Sequence, residues 1–191
     1  MTRPKRFAYH AAVAGLVLAA AAAVLWYQAR LPRRFAVVDP GRLYRCGSVS
    51  PSQLSTLCRT FGIRRVICLL DATAPQTQAE RAAAERLGIE WQNVPLPGDG
   101  SSTPVQREQL RRLVTDATGG PTLVHCAAGV NRTGLVVGMY RLHREGWTLE
   151  QVLREMRAFG FEDRAEHENL RQALAEEAVL AAGATRPASP P

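Results

Sequence analysis

His125-Cys126-Ala127-Ala128-Gly129-Val130-Asn131-Arg132-Thr133-Gly134 (HCAAGVNRTG) decides how this chain is read. Residues 121–124 (PTLV) before it predict a short strand, and the pattern from about 132 to 144 predicts a helix, so a cysteine stands at the base of a strand–loop–helix turn. Small side chains at Ala127, Ala128 and Gly129 let the backbone close around an oxyanion, with N–H groups turned inward and the positive end of the helix dipole behind them. A cysteine in such a field ionises readily, because its pKa falls near a helix N-terminus and cationic groups. Arg132 offers a planar fork matched to two phosphate oxygens. Thr133 can donate its hydroxyl to the Cys126 sulfur, and His125 can fix the loop through its ring nitrogens. The bland alternative, a small buried cysteine beside an ordinary helix-start arginine, requires six coincidences in one turn.

Outward from this turn, short strands and helices alternate, which predicts an α/β domain with a central mixed sheet flanked by helices. Strands are expected at 35–38, 43–45, 65–70 and 89–94. RRVICLL (64–70) is the apolar run of a strand covered on both faces. Capping-box pairs Ser50/Gln53, Thr103/Gln106 and Thr148/Gln151 mark three helix starts. Further helices are expected at 77–87 and 163–180, the last one capped by Glu162 or Asp163. A loop rich in breakers, PLPGDGSS (95–102), precedes the second capped helix. Asp116 reads as an exposed helix residue.

HCAAGVNRTG matches the HCxxGxxR[ST]G signature of the cysteine-dependent tyrosine and dual-specificity phosphatases. GRLYRCGSVSPSQL followed by GIRRVICLL resembles the opening of their compact bacterial and fungal dual-specificity-like group, and the likeness covers about residues 35–182. Two departures stand out: Cys46 where relatives usually carry Ser, and Asn131 where close relatives often have Asp. The low-molecular-weight phosphatases carry C-x5-R near the chain start rather than two-thirds along, and the rhodanese-like loop lacks this Gly, Arg, Thr pattern.

The resemblance implies that Cys126 attacks phosphorus and that Arg132, with the amides of Ala127, Ala128, Gly129, Val130 and Asn131, stabilises the equatorial oxygens. It implies a carboxylic acid on a mobile loop upstream. Asp99, between two glycines in PLPGDGSS, is the first choice and Asp71, after RRVICLL, the second. No metal or organic cofactor is expected. The expected substrates are phosphorylated proteins or small phosphomonoesters, since Ala127, Ala128, Val130 and Asn131 add no charge for further phosphates. The rival readings are a phosphate-recognition module without turnover and a phosphoinositide phosphatase. Cys46, Cys58 and Cys68 are read as inert buried thiols.

The chain of 191 residues carries a net charge of +7, which its location explains. Residues 1–45 hold eight basic groups and one acid, whereas sixteen arginines meet sixteen carboxylates from Cys46 onward, so no nucleic-acid-binding face is expected. The excess brackets an apolar run, AAVAGLVLAAAAAVLWY (11–27), within a charge-free interval of 23 residues (7–29). As a helix this interval would measure about 35 Å, against a hydrocarbon core of about 30 Å. The expected organisation is a single-pass membrane anchor with basic flanks (1–34), a phosphatase domain (35–182) and a disordered tail (183–191). Signal cleavage, giving a secreted or periplasmic protein, is the weaker alternative because Tyr27-Gln28-Ala29 is a poor cleavage site. Basic groups at both ends of the run leave its orientation open.

Overall fold

A computed structural model describes residues 10, 13, 15–19 and 30–184. Contacts divide the chain into two units, Met1–Leu31 and Pro32–Pro191. The described residues up to Ala19 are helical. Most of the expected anchor at 11–27 lies outside the described residues, and among the described residues no helix is long and apolar enough to cross a membrane.

The second unit runs β1 (Ala36–Asp39), β2 (Leu43–Cys46), α1 (Pro51–Phe61), β3 (Arg65–Cys68), α2 (Pro75–Leu87), β4 (Glu90–Asn93), α3 (Pro104–Thr115), β5 (Thr122–His125), α4 (Asn131–Glu145), α5 (Leu149–Ala158), a 3-10 turn (Ala165–His167) and α6 (Glu168–Ala184). The sheet order is β1-β2-β5-β3-β4. Strands β2, β5, β3 and β4 are mutually parallel, and β1 joins the edge antiparallel to β2, which makes the sheet mixed. Every residue of β2, β3 and β5 is buried. Continuous burial of this kind belongs to parallel strands with helices on both faces. The chain steps outward from β2 to β3 to β4 and then returns to β5. With right-handed crossovers this reversal sets α1 and α2 on one face and α3 on the other. Accordingly α1 packs on α2, while α4 packs on α3, α5 and α6.

The three capping boxes form as spaced: Ser50, Thr103 and Thr148 each accept from the backbone N–H of the glutamine three residues on. These bonds satisfy first-turn donors that a helix leaves open. Two expectations need correction. The last helix begins at Glu168, five residues later than expected, because Asp163 is drawn into ion pairs with Arg157 and Arg171 and does not cap. It also continues through Gly183 to Ala184, so the first two residues of the expected tail are helical, and 185–191 lie outside the described residues. Asp116 is exposed, as expected, but lies just past the last residue of α3. It closes α3 and accepts from the buried Arg65 at 3.0 Å, pinning the sheet end opposite the cysteine.

At the other end, Cys46 on β2 and Cys68 on β3 stand opposite His125 on β5. Cys126 therefore leaves the sheet at the carboxyl ends of three parallel strands, where the strand order reverses. Open α/β sheets form their binding crevices at such points.

Candidate active site

The loop between β5 and α4 is held by its carbonyls. Ala127 O accepts from the backbone N–H of Ser48 at 3.0 Å and from the Ser48 hydroxyl at 3.3 Å. Ala128 O accepts from Arg34 Nη1 at 3.0 Å, and Gly129 O from Arg45 Nη2 at 2.9 Å. In a trans peptide the next residue's N–H points opposite to the carbonyl. Three consecutive carbonyls tied outward therefore turn the amides of Ala128, Gly129 and Val130 inward. Gly129 N–H shows the result, donating to Cys126 Sγ at 3.2 Å.

Gly129 has φ +74, and a Cβ there would lie 2.7 Å from Gly47 N and 2.8 Å from the Cys46 carbonyl carbon, both backbone atoms. Gly129→Ala is therefore expected to displace the loop and lower kcat/KM on a small aryl phosphate by on the order of 100-fold, the usual cost of a misplacement of about 1 Å. Retention of more than half the activity would show that the cradle tolerates the shift.

Cys126 is almost fully buried. Burial alone would raise its pKa, but the Thr133 hydroxyl and amide, the Gly129 amide and the Arg132 charge outweigh it and hold the thiol below its ordinary value. Thr133 occupies the first turn of α4, where backbone donors lack intrahelical partners. Cys46 shows the opposite behaviour: burial first, then the nearby Glu80, pushes its thiol well above the ordinary value. Cys46 and Cys68 are buried, Cys58 is half-buried, and all three are free thiols.

Arg132 Nη1 donates to Leu69 O and Leu96 O, each at 3.2 Å. These carbonyls follow the adjacent strand β3 and the edge strand β4, so the chain leaving both strands orients the guanidinium. Among the described residues its Nε and Nη2 make no other hydrogen bond, which leaves the edge suited to two phosphoryl oxygens.

His125 is fully buried, and its Nε2 lies 2.9 Å from Glu80 Oε1, which also accepts from Trp91 Nε1 at 2.9 Å. Burial opposes a charge on the ring, but Cys68 and Glu80 overcome it and lift its pKa to about 10. Cys68, Glu80 and His125 place their ligand atoms within 4.8 Å of one another, the arrangement among the described residues that could hold a metal ion. Because Glu80 is already engaged by both His125 and Trp91, the cluster serves as a hydrogen-bonded brace under β5.

The structure thus brings together Cys126, Gly129, Thr133 and Arg132, with His125 braced beneath them, but places neither candidate acid on them. Asp99 is exposed, and its Oδ1 accepts from Ser101 N at 2.9 Å and Ser101 Oγ at 2.8 Å, bonds that lower its pKa. Asp71 makes the same turn with Thr73, at 2.8 Å for both bonds. What distinguishes them is α6. Gly100 packs so closely on Leu170 that a Cβ would lie 2.6 Å from its Cδ1. His167, just before α6, lies 2.9 Å from Asn131 Nδ2. The Asp99 loop is thereby tied to the side of the cradle formed by the start of α4.

The sequence reading missed Arg34, Ser48 and Arg45, the three residues that hold the loop carbonyls. The available signal was a charged residue within the otherwise apolar run of β2.

The sequence profile described as the tyrosine phosphatase family matches residues 31–181. The chain belongs to that family. It is 31% identical over 134 residues to inositol diphosphatase DSP1 of Oryza sativa subsp. japonica, a match covering 67% of this chain and 57% of the rice protein. It is 46% identical over 54 residues to the dual specificity protein phosphatase TpbA of Pseudomonas aeruginosa, covering 28% of this chain and 25% of TpbA. These alignments span less than two thirds of the length of either relative. The catalytic core of the PP-IP phosphatase SIW14 from S. cerevisiae superposes with a TM-score of 0.65 at 22% identity, covering 81% of this chain and 94% of that one. TpbA superposes with a TM-score of 0.60 at 24% identity, covering 78% and 90%. At these identities the superpositions establish the shared α/β fold.

Proposed function

We propose that the chain hydrolyses phosphomonoesters, with phosphorylated proteins as its substrates, through a phosphoryl group carried on Cys126. The observation that carries this reading is the cradle: three carbonyls tied outward, amides turned inward, and a thiol at its base with a depressed pKa. The Cys126 thiolate attacks phosphorus, and the bond to the leaving oxygen breaks as Asp99 supplies a proton. Water then attacks the same phosphorus while the Asp99 carboxylate takes its proton. The S–P bond breaks, the electron pair returns to sulfur, and Thr133 donates to it. Inorganic phosphate leaves.

Asp99 is held as a carboxylate by Ser101, the form needed for the second step. For the first it must give up the Ser101 bonds and take a proton, which a phosphate dianion nearby favours by like-charge repulsion. Gly98, exposed and with nothing packed where a Cβ would stand, serves as the hinge on one side of it, while Gly100 stays anchored on Leu170.

Substrate choice follows from the loop side chains. Ala127, Ala128, Val130 and Asn131 supply no cation for a second phosphate, whereas a polyphosphorylated inositol demands several. The resemblance to inositol diphosphatases supports a second reading, in which Arg34 on Ala128 O provides one such cation at the cradle. Full-length protein assayed on phosphotyrosine peptides and on inositol diphosphates is expected to favour the peptide by at least about tenfold in kcat/KM, the worth of one lost charge contact of about 1.4 kcal/mol. A reversed ranking would establish the second reading. The proposal also places residues 11–27 in a membrane, as the charge-free interval bracketed by arginines supports, so the protein for these assays should fractionate with membranes. Recovery in the soluble fraction would remove the anchor.

A further inference from the structure

Arg45 is the one charged residue of β2, and its side chain is completely shielded from solvent. Besides the Nη2 bond to Gly129 O, its guanidinium carbon lies 3.7 Å from the centroid of the Phe159 ring. Nε and Nη1 are buried without a hydrogen-bond partner among the described residues. In the β2–β5 register Arg45 stands opposite Val124, two residues before Cys126. Alternation along a strand therefore aims Arg45 and Cys126 to the same face of the sheet. A buried cation with two unsatisfied donors is unfavourable by itself and becomes less so when an anion forms in its field.

We propose that Arg45 is a positioning residue for the reaction: it holds the Gly129 carbonyl outward, and its buried charge favours the Cys126 thiolate and the phosphoryl group that follows. This rests on the reading of Cys126 as nucleophile. Other charged groups face the same region. Arg132 comes from α4. Glu155, on α5, attracts Arg45 but is itself paired with Arg141 of α4 at 2.6 Å. Cys46, next along β2, points to the opposite face with its ionisation suppressed by burial. Burial pulls the Arg45 pKa down to about 10, and Glu155 and Cys126 act against that, so it stays a cation in neutral solution.

The test measures alkylation of Cys126 by iodoacetamide against pH in the full chain, quantified on the Cys126 peptide. Arg45→Met is expected to raise the midpoint by about one unit, a tenfold loss of thiolate below both midpoints. Arg45→Lys, which keeps the charge, should stay within about half a unit of the parent. A folded Arg45→Met protein with an unchanged midpoint would overturn the proposal. If Arg45→Met does not fold, the parent protein decides: the Arg45 15Nε resonance should titrate with the Cys126 midpoint and move when vanadate is added, and indifference to both would overturn it. Should the parent Cys126 titrate as an ordinary thiol and Cys126→Ser remain active, the nucleophile assignment fails instead.

Discussion

Cys126→Ser is expected to abolish turnover while leaving the fold and anion binding intact. The loss should be on the order of 10⁶-fold in kcat, the scale found when a covalent nucleophile is removed from its machinery. The physical reason is ionisation. In this structure the Thr133 hydroxyl and amide, the Gly129 amide and Arg132 offset burial and keep the Cys126 thiol below its ordinary value. The same surroundings cannot ionise a serine hydroxyl, whose intrinsic acidity is far weaker. Serine is nearly isosteric, and the loop is held by Ser48, Arg34 and Arg45 through carbonyls that the substitution does not touch. Vanadate binding and the melting temperature should therefore stay close to those of the parent. A residual rate within tenfold of the parent would remove Cys126 from the chemistry.

Asp99→Asn carries the second-largest expected effect, and its size should depend on the leaving group. Proton donation matters when the departing oxygen is basic, so phosphotyrosine or alkyl phosphate hydrolysis should slow by about 10² to 10⁴-fold, or about 3 to 5 kcal/mol of barrier. An activated aryl ester should slow much less. The pH profile gives an independent reading. Activity rises with pH as Cys126 ionises and falls as the acid loses its proton, so Asp99→Asn should keep the rise and lose the fall. Because Ser101 holds the Asp99 carboxyl below its ordinary value, the fall belongs to the enzyme–substrate complex, where the phosphate displaces that bond. If Asp71→Asn shows this pattern and Asp99→Asn does not, the acid follows β3 and the loop at 95–102 is a turn.

The parts of the fold legible in the sequence are those written in neighbouring residues. The strand–loop–helix turn around Cys126 follows from a run of small residues between two periodic segments, and the capping boxes at Ser50, Thr103 and Thr148 each need only four residues. The clamps on the loop are different. Arg34 and Ala128 are 94 residues apart, Arg45 and Gly129 are 84 apart, and Ser48 and Ala127 are 79 apart. No local pattern encodes such pairs, and in a chain where nearly every basic residue is arginine a single one stands out little. The start of α6 was obscured for a related reason. Glu162 and Asp163 look like caps, yet Asp163 is held by Arg157 and Arg171, and a 3-10 turn intervenes. That turn ends at His167, whose contact with Asn131 ties this segment to the cradle. It is a link made by tertiary packing alone.

The most direct test of the account is to quench the full-length protein in acid during steady turnover of a phosphotyrosine peptide and map phosphoryl groups by mass spectrometry. A single phosphoryl group on Cys126, absent from Cys126→Ser, is the predicted result. Continued turnover with Cys126 unmodified, or with the phosphoryl group on another residue, would contradict it.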